Sequence, residues 1–169
     1  MLTKNELIKN ALEMYEKAKI VLTDKEKANI EIADFGLNDL ENTALTLITY
    51  INTERCCAKE MVLLPHQTCP EHRHPEVGGK PGKEETFRCR YGKVYLYVDG
   101  EPCANPACKP PKGVYTVTRE IVLNPGEQYT IYPNTLHWFQ AGDEGAVISE
   151  FSTHSSDETD IFSDPDIIR

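Results

Sequence analysis

Beyond Gly36 the chain becomes a series of short runs rich in β-branched and aromatic residues, each cut off by a turn signal. Leu45–Ile51 opens the series, and Glu60–Leu64, Glu85–Arg90, Lys93–Val98, Gly113–Leu123, Gln128–Tyr132, His137–Gln140 and Ala146–Phe151 follow. Between them stand Tyr91-Gly92, Asp99-Gly100, Asn124-Pro125-Gly126, Pro133-Asn134 and Gly142-Asp143, residue pairs that favour turns. Many short strands at close spacing mean a β-sandwich or a β-barrel. The residues before Gly36 read differently. Leu7, Ala11, Leu12, Met14 and Tyr15 recur near a helical period, so Lys4–Ala18 is expected to be a helix capped by Thr3 or Asn5. A second helix is expected to start at Thr23, with acidic residues near its N-terminus and Gly36 as a stop or turn. The expected architecture is all-β with N-terminal helices, residues 1–40 forming a mainly helical extension packed on one barrel domain that takes in residues 1–169.

With 169 residues, 40% hydrophobic and 27% charged, the chain can bury a core of ordinary size. Its formal charge of −9, from 27 acidic and 18 basic residues, argues against nucleic acid or an anionic membrane as the main partner. The longest apolar runs are too short to cross a bilayer, and Met1–Ile20 lacks an apolar signal core. A cytoplasmic protein with free thiols is therefore expected. Cys103 and Cys108 have a spacing that suits half of a zinc site, but no clear second pair lies nearby, and the surrounding Pro and Lys read as a surface loop.

The richest stretch for chemistry runs from His72 to Phe87. In an extended chain side chains two apart share a face, so His72 and His74 can reach one ion while Arg73 points away. The loop from Pro75 to Gly82, with three glycines and two prolines, can turn the chain back so that Glu85 offers a carboxylate at the start of the next strand. For a fourth ligand the remaining histidines are His66, His137 and His154. His137 follows the turn at Tyr132–Thr135 and opens a strand, where a barrel-lining side chain would sit. Three imidazoles and one carboxylate suit manganese, iron, cobalt, nickel or zinc better than calcium or magnesium.

These residues resemble the cupin superfamily. Its first motif pairs two histidines around one residue and then, after a spacer, sets a Glu and a Gly with six residues between them; here that reads His72, His74, Glu85 and Gly92, with a spacer longer than usual. Its second motif, Gly then Pro then His, reads Gly126, Pro133 and His137. Within cupins, Pro70–Pro75, Gly82–Phe87, Ile148–Thr153 and Asp160–Pro165 look like the D-lyxose isomerase family, a likeness that runs from about Asn5 to the end. The resemblance implies a cupin-type jelly-roll barrel. It also implies a manganese-dependent aldose–ketose isomerase of D-lyxose and D-xylulose, and of D-mannose and D-fructose, with His72, His74, Glu85 and His137 on the metal. A homodimer is expected on the same ground.

Such a reaction needs a group that carries a proton between C1 and C2. Glu150 is the first candidate, because it is a lone acid in the otherwise apolar or small run Ala146–Phe151. Lys83, two before Glu85, shares its strand face and could bind a sugar oxygen or stabilise developing charge. Asp160 is a candidate to face the sugar, and Phe139 shares strand parity with His137 and is the aromatic expected at the site; Phe87, Tyr95 and Trp138 read as core. Two other classes fit the same ligands: an iron-dependent cupin dioxygenase, and a non-catalytic sugar-binding or sensing cupin.

Overall fold

The computed structural model describes residues 2–169. Helix α1 (Lys4–Lys17) begins at Thr3, whose hydroxyl accepts from the Glu6 N–H while the Glu6 carboxylate accepts from the Thr3 N–H. This reciprocal cap satisfies two donors the first turn would otherwise leave open. Helix α2 (Asp24–Ala28) repeats the device with Thr23 and Glu26 but stops after five residues. The chain then enters the sheet as β1 (Glu31–Ala33), so the first forty residues are less helical than their sequence suggests. Eight strands follow: β2 (Leu45–Asn52), β3 (Cys57–Leu63), β4 (Thr68–Arg73), β5 (Glu85–Val98), β6 (Arg119–Leu123), β7 (Gln128–Ile131), β8 (His137–Ser152) and β9 (Ile161–Phe162). No helix among the described residues is long and apolar enough to cross a membrane.

Two long strands organise the rest. The 14-residue β5 and the 16-residue β8 pair antiparallel along their whole length, from Glu85 opposite Ser152 to Val98 opposite His137. The first half of β5 carries β7 on its other edge and the second half carries β6. The C-terminal half of β8 carries β3, and its N-terminal half carries β4. The strands therefore belong to two layers, β1-β2-β3-β8-β5-β7 and β9-β4-β8-β5-β6, joined where β5 and β8 pass from one to the other. This is a curled antiparallel jelly roll of the cupin type.

The corner between layers sits where sequence alone suggests turns. Arg90 is an extra residue of β5 just before Tyr91-Gly92, and residues 142–145 of β8 loop out opposite Lys93 before pairing resumes at Ala146. Such irregularities bend a strand and increase its twist. Gly92 has φ +69°, and a Cβ there would lie 2.0 Å from the Gly145 carbonyl oxygen. Gly92→Ala is therefore expected to destabilise the fold by about 3 kcal/mol or more, through both strain and backbone collision. The thermal midpoint should fall by roughly 6–12 °C; an unchanged midpoint would show that the corner tolerates a side chain.

The barrel interior is packed by Leu47, Met61, Leu63, Cys89, Leu96 and Ile148, all under 3% exposed, and by their buried neighbours. Helix α1 covers the outside of the first layer by setting Ala11, Met14 and Tyr15 on Ile48, Val62 and Val147. The outside of the second layer is covered by the loop before β6. Trp138 stacks on Tyr97 there, with ring centroids 4.0 Å apart, among Cys108 and Val117. Only Arg119–Leu123 of the expected Gly113–Leu123 strand forms; Thr116 and Val117 are bonded instead to the buried Glu71 carboxylate.

Candidate metal centre and active site

β4 and β8 run side by side with His72 directly opposite His137, so their rings lie 4.2 Å apart inside the barrel. His74 follows β4 by one residue and shares the His72 face. Its carbonyl accepts from the Asn134 N–H, which ties it to the turn that leads into His137. Gly82 packs against the same carbonyl, and a Cβ there would lie 1.9 Å from that oxygen. Potential ligand atoms of the three histidines all lie within 4.8 Å of one another, and the residues are at most 7% exposed.

Glu85 begins β5, at the far end of the β5–β8 ladder from His137, yet its Oε1 lies 3.0 Å from His137 Nε2 and 3.3 Å from His74 Nε2. The curl of both long strands closes that separation. The expected set of His72, His74, Glu85 and His137 is thus brought together at one place.

The hydrogen bonds also prepare the imidazoles to act as ligands. Nδ1 of His72 lies 2.8 Å from the Pro70 carbonyl, and Nδ1 of His137 lies 2.9 Å from the Thr135 carbonyl. A carbonyl only accepts, so both Nδ1 atoms carry the proton and both Nε2 atoms keep a lone pair. His74 Nδ1 meets Asp160 Oδ1 at 2.5 Å, the usual brace of a ligating histidine. Although His137 Nε2 lies 3.0 Å from Glu85 Oε1, with the proton on Nδ1 both atoms are acceptors, and this buried nitrogen has no hydrogen-bond partner. An unsatisfied buried nitrogen is costly. A cation would satisfy it, and the donor set is that of a transition-metal site.

Charges agree with that fit. Burial first, then the neighbouring His137 and His74, holds the His72 pKa well below the usual imidazole value, which keeps it neutral. Burial also disfavours the His74 cation, but the Glu85 charge and the bonds to Asp160 and Glu85 outweigh it and bring His74 to about 9. A proton there occupies the position a metal ion would take. Burial pushes the Glu85 carboxyl up, yet Lys83 and the histidines more than offset this, and it is held well below its ordinary range.

Lys83 is 8% exposed by side chain, with its Nζ 2.7 Å from Glu85 Oε2 and 3.2 Å from Glu150 Oε1. Burial opposes its charge, but these two carboxylates raise its pKa above the usual lysine value. Glu150 points inward from β8 between Lys59 of β3 and Phe87 of β5. Ser152 Oγ donates to the same Oε1 at 2.9 Å, so Oε2 is left for other partners. Phe139 lines the cavity with its ring 4.9 Å from Phe87, whereas Trp138 packs on the outer face.

Asp160 lines the cavity too, although its carboxylate is spent on His74. Asp160→Ala is expected to weaken binding of Mn2+ to the metal-free protein by roughly 10–100-fold, the usual effect of losing such a brace. Titration calorimetry would measure it; an unchanged affinity with a raised sugar KM would return Asp160 to the substrate.

Three charged cavity residues escape the sequence reading: Lys59, Asp157 and Arg169. Lys59 had a signal, since it shares strand parity with the inward Met61 and Leu63. Asp157 and Arg169 lie in an acidic, irregular tail and had none. Cys103 and Cys108 are free thiols, the latter buried, and no histidine or carboxylate group of three forms around them among the described residues.

A jelly roll with three inward imidazoles that could hold a metal ion, and a carboxylate beside them, defines a protein of the cupin class. Its backbone matches the L-ribose isomerase of Acinetobacter sp. DL28 with a TM-score of 0.70 at 18% identity, over 91% of this chain and 81% of that one. No protein-family model matches the chain. A D-lyxose/D-mannose isomerase of Thermosediminibacter oceani is 68% identical over 167 residues, covering 97% of this chain and 92% of that protein. A D-lyxose ketol-isomerase of a Thermofilum species is 60% identical over 176 residues, covering 100% and 97%. The chain belongs to the D-lyxose isomerase family.

Proposed function

We propose that this protein is a metal-dependent aldose–ketose isomerase that interconverts D-lyxose and D-xylulose, and D-mannose and D-fructose. The observation that carries the reading is Glu150, a buried carboxylate held beside Lys83 and Glu85 on the wall of the cavity that His72 and His74 line, next to His137. His72, His74, Glu85 and His137 would hold one divalent cation, with Mn2+ the preferred ion and Zn2+, Co2+, Ni2+ or Fe2+ compatible with the same donors. When bound, such an ion supplies Lewis-acid polarisation of vicinal sugar oxygens.

The rest of the chemistry belongs to the chain. Glu150, fixed through Oε1 by Lys83 and Ser152, takes a proton from C2 of the open-chain aldose and returns it to C1. The hydroxyl proton of O2 meanwhile passes to O1, so that C2 becomes the carbonyl. The Lys83 ammonium offsets negative charge that develops on the sugar oxygens during the transfer. Phe139 and Phe87 form an apolar wall against which sugar C–H groups can lie, and they help to exclude water. His74, Lys83 and Asp160 also border a wider depression at the mouth, which gives the sugar a way in. We place the protein in the cytoplasm, where six unpaired cysteines stay reduced, and read residues 1–169 as one domain working as a homodimer.

The test is an anaerobic assay with protein stripped by chelator and reloaded with Mn2+. Ketose should form from D-lyxose and D-mannose without oxygen, and only with the ion restored. Silence without oxygen but turnover with it would indicate a dioxygenase. Sugar binding with no conversion, and no hydrogen exchange in deuterated water, would indicate a sensing module.

A further inference from the structure

The cavity holds nine polar or charged side chains, and the chemistry proposed above accounts for six: His72, His74, Lys83, Glu85, Glu150 and Asp160. Lys59, Asp157 and Arg169 remain. Lys59 is the cross-strand neighbour of Glu150, only 6% exposed, and its Nζ reaches Ser155 Oγ at 2.9 Å and Asp157 Oδ1 at 3.1 Å. Asp157 Oδ2 accepts from Arg169 Nη2 at 2.8 Å, while Arg169 Nη1 lies 2.8 Å from Glu31. Asp157 is thereby saturated. Lys59 Nζ also lies 3.4 Å from Asp157 Oδ2, the long arm of a two-oxygen contact that a hydroxyl can replace, whereas a guanidinium carries five donors and Arg169 keeps N–H groups that its two contacts do not use.

An open-chain pentose whose C1 and C2 lie at the metal and Glu150 must extend its remaining hydroxyls along the same wall. Burying hydroxyls without partners is unfavourable. Apart from the side chains already committed to the reaction and the trio of Lys59, Asp157 and Arg169, the cavity offers apolar neighbours such as Phe35, Leu45, Leu47, Met61 and Phe162. We infer that Lys59 and Arg169, held in place by Asp157, form the subsite that binds the sugar hydroxyls remote from the reacting carbons. This inference rests on the isomerase reading for where C1 and C2 sit. Because the Asp157 and Glu31 carboxylates lie against these two cations, the subsite suits a neutral polyol chain better than a phosphorylated one.

The test compares a full substrate with one that lacks the remote hydroxyls. Mn2+-loaded wild-type, Lys59→Met and Arg169→Gln proteins are assayed with D-lyxose and with D-glyceraldehyde. The same proteins are titrated with a pentitol, which binds without reacting, and their bound metal is measured. Lys59→Met should reduce kcat/KM for D-lyxose at least about tenfold, the scale of a hydrogen bond to a charged group. Pentitol affinity should fall in parallel, with the triose rate and metal content unchanged. Arg169→Gln should show the same pattern and serves if Lys59→Met does not fold. Equal losses for triose and pentose, or falling metal content, would make these residues supports for the tail and overturn the subsite; an unchanged pentose constant would do so as well. Wild-type protein that binds pentitol through Lys59 yet converts no aldose would sink the isomerase reading and leave the subsite standing.

Discussion

His137→Ala should strip the bound metal and abolish turnover in one step. His137 is fully buried, its ring is 4.2 Å from His72, and its Nε2 has no hydrogen-bond partner. Removing a ligand itself should weaken metal binding by more than about a hundredfold, the upper end of what losing an outer brace costs. Stability should respond in an uncommon way. In the metal-free protein the deleted ring leaves a cavity, which destabilises, but it also removes an unsatisfied buried nitrogen, which stabilises. The large difference should appear when Mn2+ is added. Wild type gains thermal stability by mass action, and the variant should gain almost none. His137→Gln, closer in volume, separates loss of ligation from loss of packing. Differential scanning calorimetry with and without Mn2+ reads both, and a metal-dependent rise that survives in both variants would remove His137 from the site.

Glu150→Gln should do the opposite to the metal and nearly the same to the rate. The amide oxygen can still accept from Lys83 and Ser152, so the wall keeps its shape. An amide cannot carry the proton, and kcat should fall by about 10²–10⁴-fold, the usual contribution of a positioned base. Metal content should stay at the wild-type level, and KM should change little, because the lost interaction belongs to the transition state. Exchange of the C2 hydrogen with deuterated water should fall with kcat. A variant with full turnover would take Glu150 out of the mechanism, whereas lost exchange with retained turnover would favour hydride transfer between the two carbons.

Much of this was legible in the residues, and the gaps have physical causes. The parity of His72 and His74 is a local property of extended chain, so their shared face could be read directly. Convergence with Glu85 and His137 could not be derived from spacing, because it depends on the curl of two strands paired along fourteen residues. The motif resemblance supplied it instead. Tyr91-Gly92 and Gly142-Asp143 carry turn chemistry, which split two long strands into four short ones on paper. In the fold that chemistry makes the corner, where positive φ and close backbone contact are needed inside a continuous strand. β4 was missed as a strand because Thr-Cys-Pro-Glu-His-Arg has little apolar content; its His72 faces the site, and Glu71 anchors Thr116, Val117 and Ser163. Asp160 was expected to face the sugar, yet the tail that carries it returns across the barrel to pair with β4 and to place Asp160 on His74.

The proposed chemistry requires a single cation held by four side chains. Crystals grown with Mn2+ and measured for anomalous scattering near the manganese edge test this directly. One anomalous peak per chain, enclosed by His72, His74, His137 and Glu85, is the predicted result. A peak elsewhere on the chain, or an empty site in protein that turns over D-lyxose at full rate, would contradict it.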